Sequence, residues 1–317
     1  MQEFAGIWVP LITPFINGAV DHDGLKRLVA HLGNKGIAGL VVCGSTGEAA
    51  SLDEAEQLAV LRTVIDVRGE LRVVMGVSGV TPAGVAARLR ELADLPLAGV
   101  LVPPPYYVKP SQQGVADFYT SVADASPHPV VLYDIPGRTG VRVETDTMLR
   151  LAAHPRIRAV KDCGGDLEHT QAVIDDGRLQ VLCGDDSRIF VSLCQGAVGA
   201  IAASAHLRPD LFAGLYRLLH QGDLGEARRL WKALWPLTRA LFEEPNPGPV
   251  KCALAQRLDL RDELRAPMTT VSASLAQRIQ GLLDAIDVSW PVCQAAFHHS
   301  RPMASQCTVL TPPGTDK

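Results

Sequence analysis

Lys161 is the residue in this chain best placed to act as a nucleophile. It closes the apolar, β-rich run Ile157-Arg-Ala-Val-Lys161. A lysine at a buried strand end is partly desolvated, which is expected to lower its pKa and leave more of it as free amine. A free amine can attack a ketone and form a Schiff base. Tyr133 ends the preceding β-rich run and offers a hydroxyl that can carry protons. Gly44-Ser45-Thr46-Gly47-Glu48 follows an earlier run. Its glycines let backbone N–H groups approach an anion, and its two hydroxyls add donors. Arg138, in Pro136-Gly-Arg-Thr-Gly140, presents a planar fork that suits a carboxylate. The small residues of Ala200-Ile201-Ala-Ala-Ser204 leave room for a substrate. Taken singly, each group also fits a plainer role: a strand-end lysine in solvent, an ordinary βα turn, a loop arginine. Tyr106, in Pro103-Pro-Pro-Tyr106-Tyr107, reads as rim packing. In conjunction they describe Schiff-base chemistry on an α-keto acid. Lys161 attacks the ketone, Ser45 and Thr46 hold the carboxylate, and Tyr133 moves the protons.

Such groups need strands that end together. Eight short β-rich runs recur, at 7–13, 39–43, 72–77, 98–102, 129–133, 157–161, 179–183 and 199–202. Between them lie amphipathic stretches such as Leu25-Lys-Arg-Leu28-Val29 and Leu58-Ala-Val-Leu61, with apolar residues at the helical period. Asp21 is placed to cap the first helix, and Ser51-Leu-Asp-Glu54 fits a capping box for the second. Runs that are apolar throughout and alternate with helices imply a parallel sheet covered on both faces. Eight units in about 200 residues predict an α/β fold, a closed (β/α)8 TIM barrel over residues 1–208. An open doubly wound sheet is less favoured, because no GxGxxG follows the first strand. A C-terminal helical appendage is expected over 209–287, containing the Pro-rich break Glu244-Pro-Asn-Pro-Gly-Pro-Val-Lys251. Residues 288–317 lose all periodicity and read as an irregular, disordered tail.

Composition narrows the function classes. Of 317 residues, 47% are hydrophobic and 20% charged, with a net charge of -4, so there is ample core and no basic patch for nucleic acid. No apolar run reaches the ~18 residues that would span a membrane. The N-terminus has no basic segment of a secretory signal. Seven scattered cysteines without CxxC spacing read as small core residues of a cytoplasmic protein. The histidines show no HxxxH or HExxH spacing, so no metal site is expected. Schiff-base chemistry also needs no organic cofactor.

The motifs Gly44-Ser-Thr-Gly-Glu48, Pro105-Tyr-Tyr107, Tyr133-Asp-Ile-Pro-Gly-Arg-Thr-Gly140, Val160-Lys161-Asp162, Gly184-Asp185-Asp186 and 244–251 occur in order over residues 4–286. On them the chain resembles the dihydrodipicolinate synthase / N-acetylneuraminate lyase family, and within it the synthase branch. The resemblance implies condensation of pyruvate with aspartate semialdehyde on the lysine and diaminopimelate route, without metal or cofactor. It implies that Lys161 forms the Schiff base, that Tyr133 donates and accepts the proton, and that Ser45 and Tyr107 complete a hydroxyl relay. Tyr107 would reach in from a neighbouring subunit of a homotetramer, a dimer of dimers. Thr46, the Gly44 turn and Ile201 would hold pyruvate, and Arg138 the carboxylate of the semialdehyde. Ser45 stands where most synthases carry threonine, Asp134 where they carry asparagine, and Asp162 where they carry glutamate. The segment Lys161-Asp-Cys-Gly-Gly-Asp166 is also similar to pyruvate-dependent aldolases of 2-keto-3-deoxy sugar acids, which are the alternative. A barrel that binds pyruvate only as a sensor is a third reading, which turnover would separate. Lysine-inhibited members of the family carry His, His, Asn and Glu where this chain has Asp53, Glu56, Val80 and Gly84, so little feedback by lysine is expected.

Overall fold

Eight parallel strands close on themselves in the computed structural model, which describes residues 2–291. They are β1 (Gly6–Pro10), β2 (Gly39–Val42), β3 (Arg72–Gly76), β4 (Gly99–Val102), β5 (Val130–Asp134), β6 (Ile157–Asp162), β7 (Gln180–Cys183) and β8 (Gly199–Ile201). Each pairs with the next in sequence, and β8 pairs with β1, so the sheet has no edge. The expected TIM barrel is therefore present, and the open sheet is excluded. Successive side chains alternate between two apolar environments. Trp8, Val41, Val74, Leu101, Val131 and Leu182 fill the barrel with Phe4 beneath them. Their neighbours, such as Val9, Leu40 and Leu132, pack outward under the helices.

The helical layer follows the strands one for one: α1 (His22–Leu32), α2 (Glu54–Val67), α3 (Pro82–Glu91), α4 (Gln112–Ala125), α5 (Thr145–Leu151), α6 (Leu167–Asp176), α7 (Ile189–Gln195) and α8 (Pro209–His220). Asp21 caps α1 as expected, accepting from the Gly24 N–H. The capping box of α2 is shifted from the expected frame. Asp53 is the N-cap, paired reciprocally with Glu56, and Ser51 lies in a preceding 3-10 turn. Both frames have an acid three residues on, and the 3-10 turn at Ala49–Ser51 decides between them. A two-stranded hairpin, Phe15–Ile16 with Ala19–Val20, lies between β1 and α1 and was not expected.

Because α8 packs against β1, it completes the eighth βα unit. Three further helices, α9 (Leu224–Ala240), α10 (Gly248–Ala255) and α11 (Ala273–Ser289), lie beyond it. Arg208 anchors α11 by bonding Asp287 at 2.9 Å and the Trp290 carbonyl at 2.9 Å. The helix runs two residues into the segment expected to be irregular, whose remainder from 292 lies outside the described residues. Among the described residues no helix is long and apolar enough to cross a membrane. The five described cysteines are free, and Cys194 is exposed rather than in the core as expected. Cys293 and Cys307 lie outside the described residues.

Candidate active site

Lys161 and Tyr133 are opposite each other in the β5–β6 register. Each shares a strand face with an inward core residue two positions earlier, Ala159 and Val131, so both project into the barrel above its apolar filling. The Lys161 Nζ donates to the Tyr133 hydroxyl at 3.3 Å and lies 4.4 Å from the centre of its ring. The same hydroxyl is 3.5 Å from the Ser45 Oγ. Three of the expected groups thus form one chain, Nζ to Oη to Oγ, at the C-terminal ends of three strands. Gly184 makes this possible: a Cβ there would fall 2.7 Å from the Lys161 Cγ and 2.4 Å from the Cys163 sulfur.

The charge state of Lys161 differs from the expectation. Burial does push its pKa down, but Tyr133, Cys163 and Asp186 more than offset it, and the ammonium is held above its ordinary range. The free amine is therefore not a gift of burial. It has to be generated by passing a proton on, and the hydroxyl chain supplies a route.

A small cavity opens beside this chain, lined by Ser45, Thr46, Tyr133, Lys161, Ile201 and Arg138 among others. A wider recess joins it at Ser45, Tyr133, Ile135 and Arg138, and includes Gly44 and Tyr106. Arg138 sits on the short helical turn Pro136–Thr139, borders both spaces, and makes no side-chain hydrogen bond or ion pair among the described residues. The Gly44–Gly47 turn is held from above and below. Gly76 admits it, since a Cβ there would lie 2.3 Å from the Cys43 carbonyl oxygen. Asn246 donates to the Thr46 Oγ1 at 3.0 Å, which leaves that hydroxyl's own proton free for a ligand. Tyr107 is elsewhere: it is 90% exposed, at φ 71, and does not meet Ser45 or Tyr133 in its own chain.

Sequence reading missed Asn246, Asp186 and Cys163 as cavity-lining groups. All three stood within quoted segments, but nothing local revealed that they line the cavity. Asp134, one residue after Tyr133, points away from the cavity. It accepts from the Val143 N–H at 3.0 Å and keeps its second oxygen buried, with no hydrogen-bond partner among the described residues. Burial, with Asp162 nearby, pushes its pKa up to about 6.

The profile of the Dihydrodipicolinate synthetase family matches residues 3–286. The chain belongs to that family. A relative from Trichlorobacter lovleyi, named 4-hydroxy-tetrahydrodipicolinate synthase, is 37% identical over 88% of this chain and 98% of its own length. One of the same name from Haloarcula marismortui is 36% identical over 90% and 94%. Among solved structures, dihydrodipicolinate synthase from Thermotoga maritima superposes with a TM-score of 0.86 at 30% identity, covering 89% and 98% of the two chains. The enzyme from Cyanidioschyzon merolae with lysine bound gives 0.85 at 31%, covering 90% and 99%. A structure described as the first monomeric dihydrodipicolinate synthase variant gives 0.86 at 30%, covering 89% and 96%. The family's fold therefore extends over nearly all the described residues.

Proposed function

We propose that the protein is a Schiff-base lyase that condenses pyruvate with L-aspartate 4-semialdehyde to 4-hydroxy-tetrahydrodipicolinate. The observation that carries this reading is the Lys161–Tyr133–Ser45 chain at 3.3 and 3.5 Å beside a cavity, in a chain whose relatives bear the synthase name. Lys161 passes a proton along the hydroxyls and attacks the keto carbon of pyruvate. The carbinolamine takes up a proton, loses water and becomes an iminium. Loss of a methyl proton gives an enamine, whose carbon adds to the aldehyde, and the semialdehyde's own amine then attacks the regenerated iminium carbon, closing the ring and displacing Lys161 as the free amine. Tyr133 donates and accepts at these steps. Thr46 and the Gly44 turn, with Ile201, hold the pyruvate carboxylate and methyl. Arg138, without an ion-pair partner among the described residues and at the shared rim, receives the carboxylate of the semialdehyde.

Tyr107 completes the relay in a second copy, within a homotetramer. Its exposure and its left-handed backbone, which is costly for an L-residue, support a role outside its own protomer. The free thiols support a reducing, cytoplasmic setting. The enzyme is insensitive to lysine. The Glu56 carboxylate is already taken by Arg265 at 2.6 and 2.7 Å, Asp53 is committed to capping α2, and Val80 and Gly84 offer no polar side chain.

The deciding experiment couples the condensation to the reductase that consumes its product. Turnover that persists after dialysis against chelator, and is undiminished by millimolar lysine, is expected. No turnover, with pyruvate still trapped on Lys161 by borohydride, would move the substrate to a 2-keto-3-deoxy acid. A rate that falls steeply in lysine would sink the claim of insensitivity alone.

A further inference from the structure

A third charged group borders the inner cavity besides Lys161 and Arg138. Asp186 follows β7, is buried, and lines the same cavity as Lys161. Both its oxygens are engaged by the loop after β8. Oδ1 accepts from the Ala203 N–H at 3.2 Å and Oδ2 from the Ser204 N–H at 2.6 Å. Ala203 is itself part of the cavity wall. The loop is held on its other side by His206, whose Nδ1 bonds the Ala203 carbonyl at 2.8 Å while its Nε2 accepts from the Ile12 N–H at 3.2 Å. One buried carboxyl thus fixes a wall of the site and places charge among the groups around the reactive nitrogen.

We propose that Asp186 is a positioning residue of the reaction. Its carboxylate orders the Ala203–Ser204 wall, and its negative charge stabilises positive charge on the Lys161 nitrogen. This rests on the Schiff-base reading. The charge on that nitrogen changes at defined points. A neutral amine adds to the ketone, the carbinolamine gains one proton and loses water, and the iminium that results is cationic. Loss of the methyl proton neutralises it again as the enamine. An anion nearby favours the iminium over the carbinolamine and over the free amine. The titratable groups around Lys161 are Tyr133 from β5, Cys163 at the end of β6, and Asp186 after β7, with Asp185 beside Cys163. Burial holds the Cys163 thiol up at about 12, so it carries no charge near neutral pH. Burial holds Asp186 above the ordinary carboxylate range, against the pull of the Ser204 and Ala203 amides and of Lys161. Of these groups, Asp186 is the carboxyl that lines the cavity with Lys161 and accepts from two backbone N–H groups, an arrangement that favours its carboxylate form.

The test is Asp186→Asn in the full chain, with pyruvate and borohydride, scored by mass on Lys161 across pH. The rate limb that reports deprotonation of Lys161 is expected to move about one unit lower. Above that limb, where the resting lysine is neutral, the equilibrium between free amine and iminium is expected to shift about tenfold away from the iminium, the equivalent of that unit. A residue that only ordered the wall would raise the KM for pyruvate and leave the limb in place, and that outcome overturns the charge assignment. If the Asn variant does not fold, Asp186→Ser removes the same charge with a smaller side chain and is read the same way. If the wild type itself traps no pyruvate on Lys161, the Schiff-base reading falls, and this inference with it.

Discussion

Lys161 and Lys251 are the two buried lysines among the described residues, and of the two it is Lys161 that lines the candidate site's cavity. Lys251, on α10, is fully enclosed. Its Nζ lies 2.5 Å from a Glu48 carboxylate oxygen, donates to the Glu263 carbonyl at 2.7 Å, and sits 4.1 Å from the centre of the Phe15 ring. Burial holds its pKa below the usual lysine range, against the pull of Glu48. By pKa alone it is the better amine. Yet it is fully enclosed and lines neither space of the candidate site, and its charge is answered by a carboxylate. Lys161 has the raised pKa, but it has a hydroxyl chain and a cavity. The difference teaches that room and a proton route, more than basicity at rest, separate a reactive lysine from a structural one.

The strongest way to break that comparison is Lys161→Ala. Activity is expected to fall by at least about 10⁴-fold, the scale of losing a nucleophile, with no borohydride-stable pyruvate adduct. An adduct that survives would place the chemistry on another lysine. Tyr133→Phe should lower kcat by roughly 10²–10⁴-fold, as for lost proton transfer, while the adduct on Lys161 still forms slowly. On the other side, Lys251→Met strands Glu48 in the interior. It should destabilise the fold by about 3–5 kcal/mol in urea unfolding and leave trapping on Lys161 intact in the folded fraction. An unchanged urea midpoint would mean that the buried pair is dispensable. Arg138→Ala should raise the KM for the semialdehyde about 10–100-fold, the worth of charged hydrogen bonds, with much less effect on pyruvate. Equal effects would give Arg138 a structural role.

The smallest effect concerns Asp134, behind the cavity. Its folded pKa of about 6 lies above the ordinary 3.8, so the fold favours the protonated acid. Its contribution to stability is complete below about pH 3.8 and is lost as pH rises through 6. Asp134→Asn should therefore stabilise the protein at pH 8 by as much as about 3 kcal/mol and do little at pH 4. Thermal melts at the two pH values would check the sign.

Much of the barrel was readable from the sequence because each strand is apolar on both faces and each helix is periodic. The nucleophile was readable for a related reason: a charged residue at the end of such a run has few plain explanations. The pKa direction of Lys161 was not, because it depends on Tyr133, Cys163 and Asp186, which come from the ends of three strands. Asn246 and Lys251 were quoted only as part of a motif. Their contacts with Thr46 and Glu48 span about 200 residues of chain, and no local pattern encodes such a pairing. The hairpin at 15–20 was missed because its two-residue strands carry no periodicity. The α2 cap was misframed because two overlapping sequences satisfy the same rule.

Phe4 and Trp8 close the bottom of the barrel, and this dictates the order of traffic. A compartment with one door fills from the back. The keto acid that bonds to Lys161 has to pass the rim before the aldehyde takes its place there, and the product leaves by the way both came in. An excess of aldehyde should therefore slow the enzyme by standing in the doorway, and more pyruvate should relieve it.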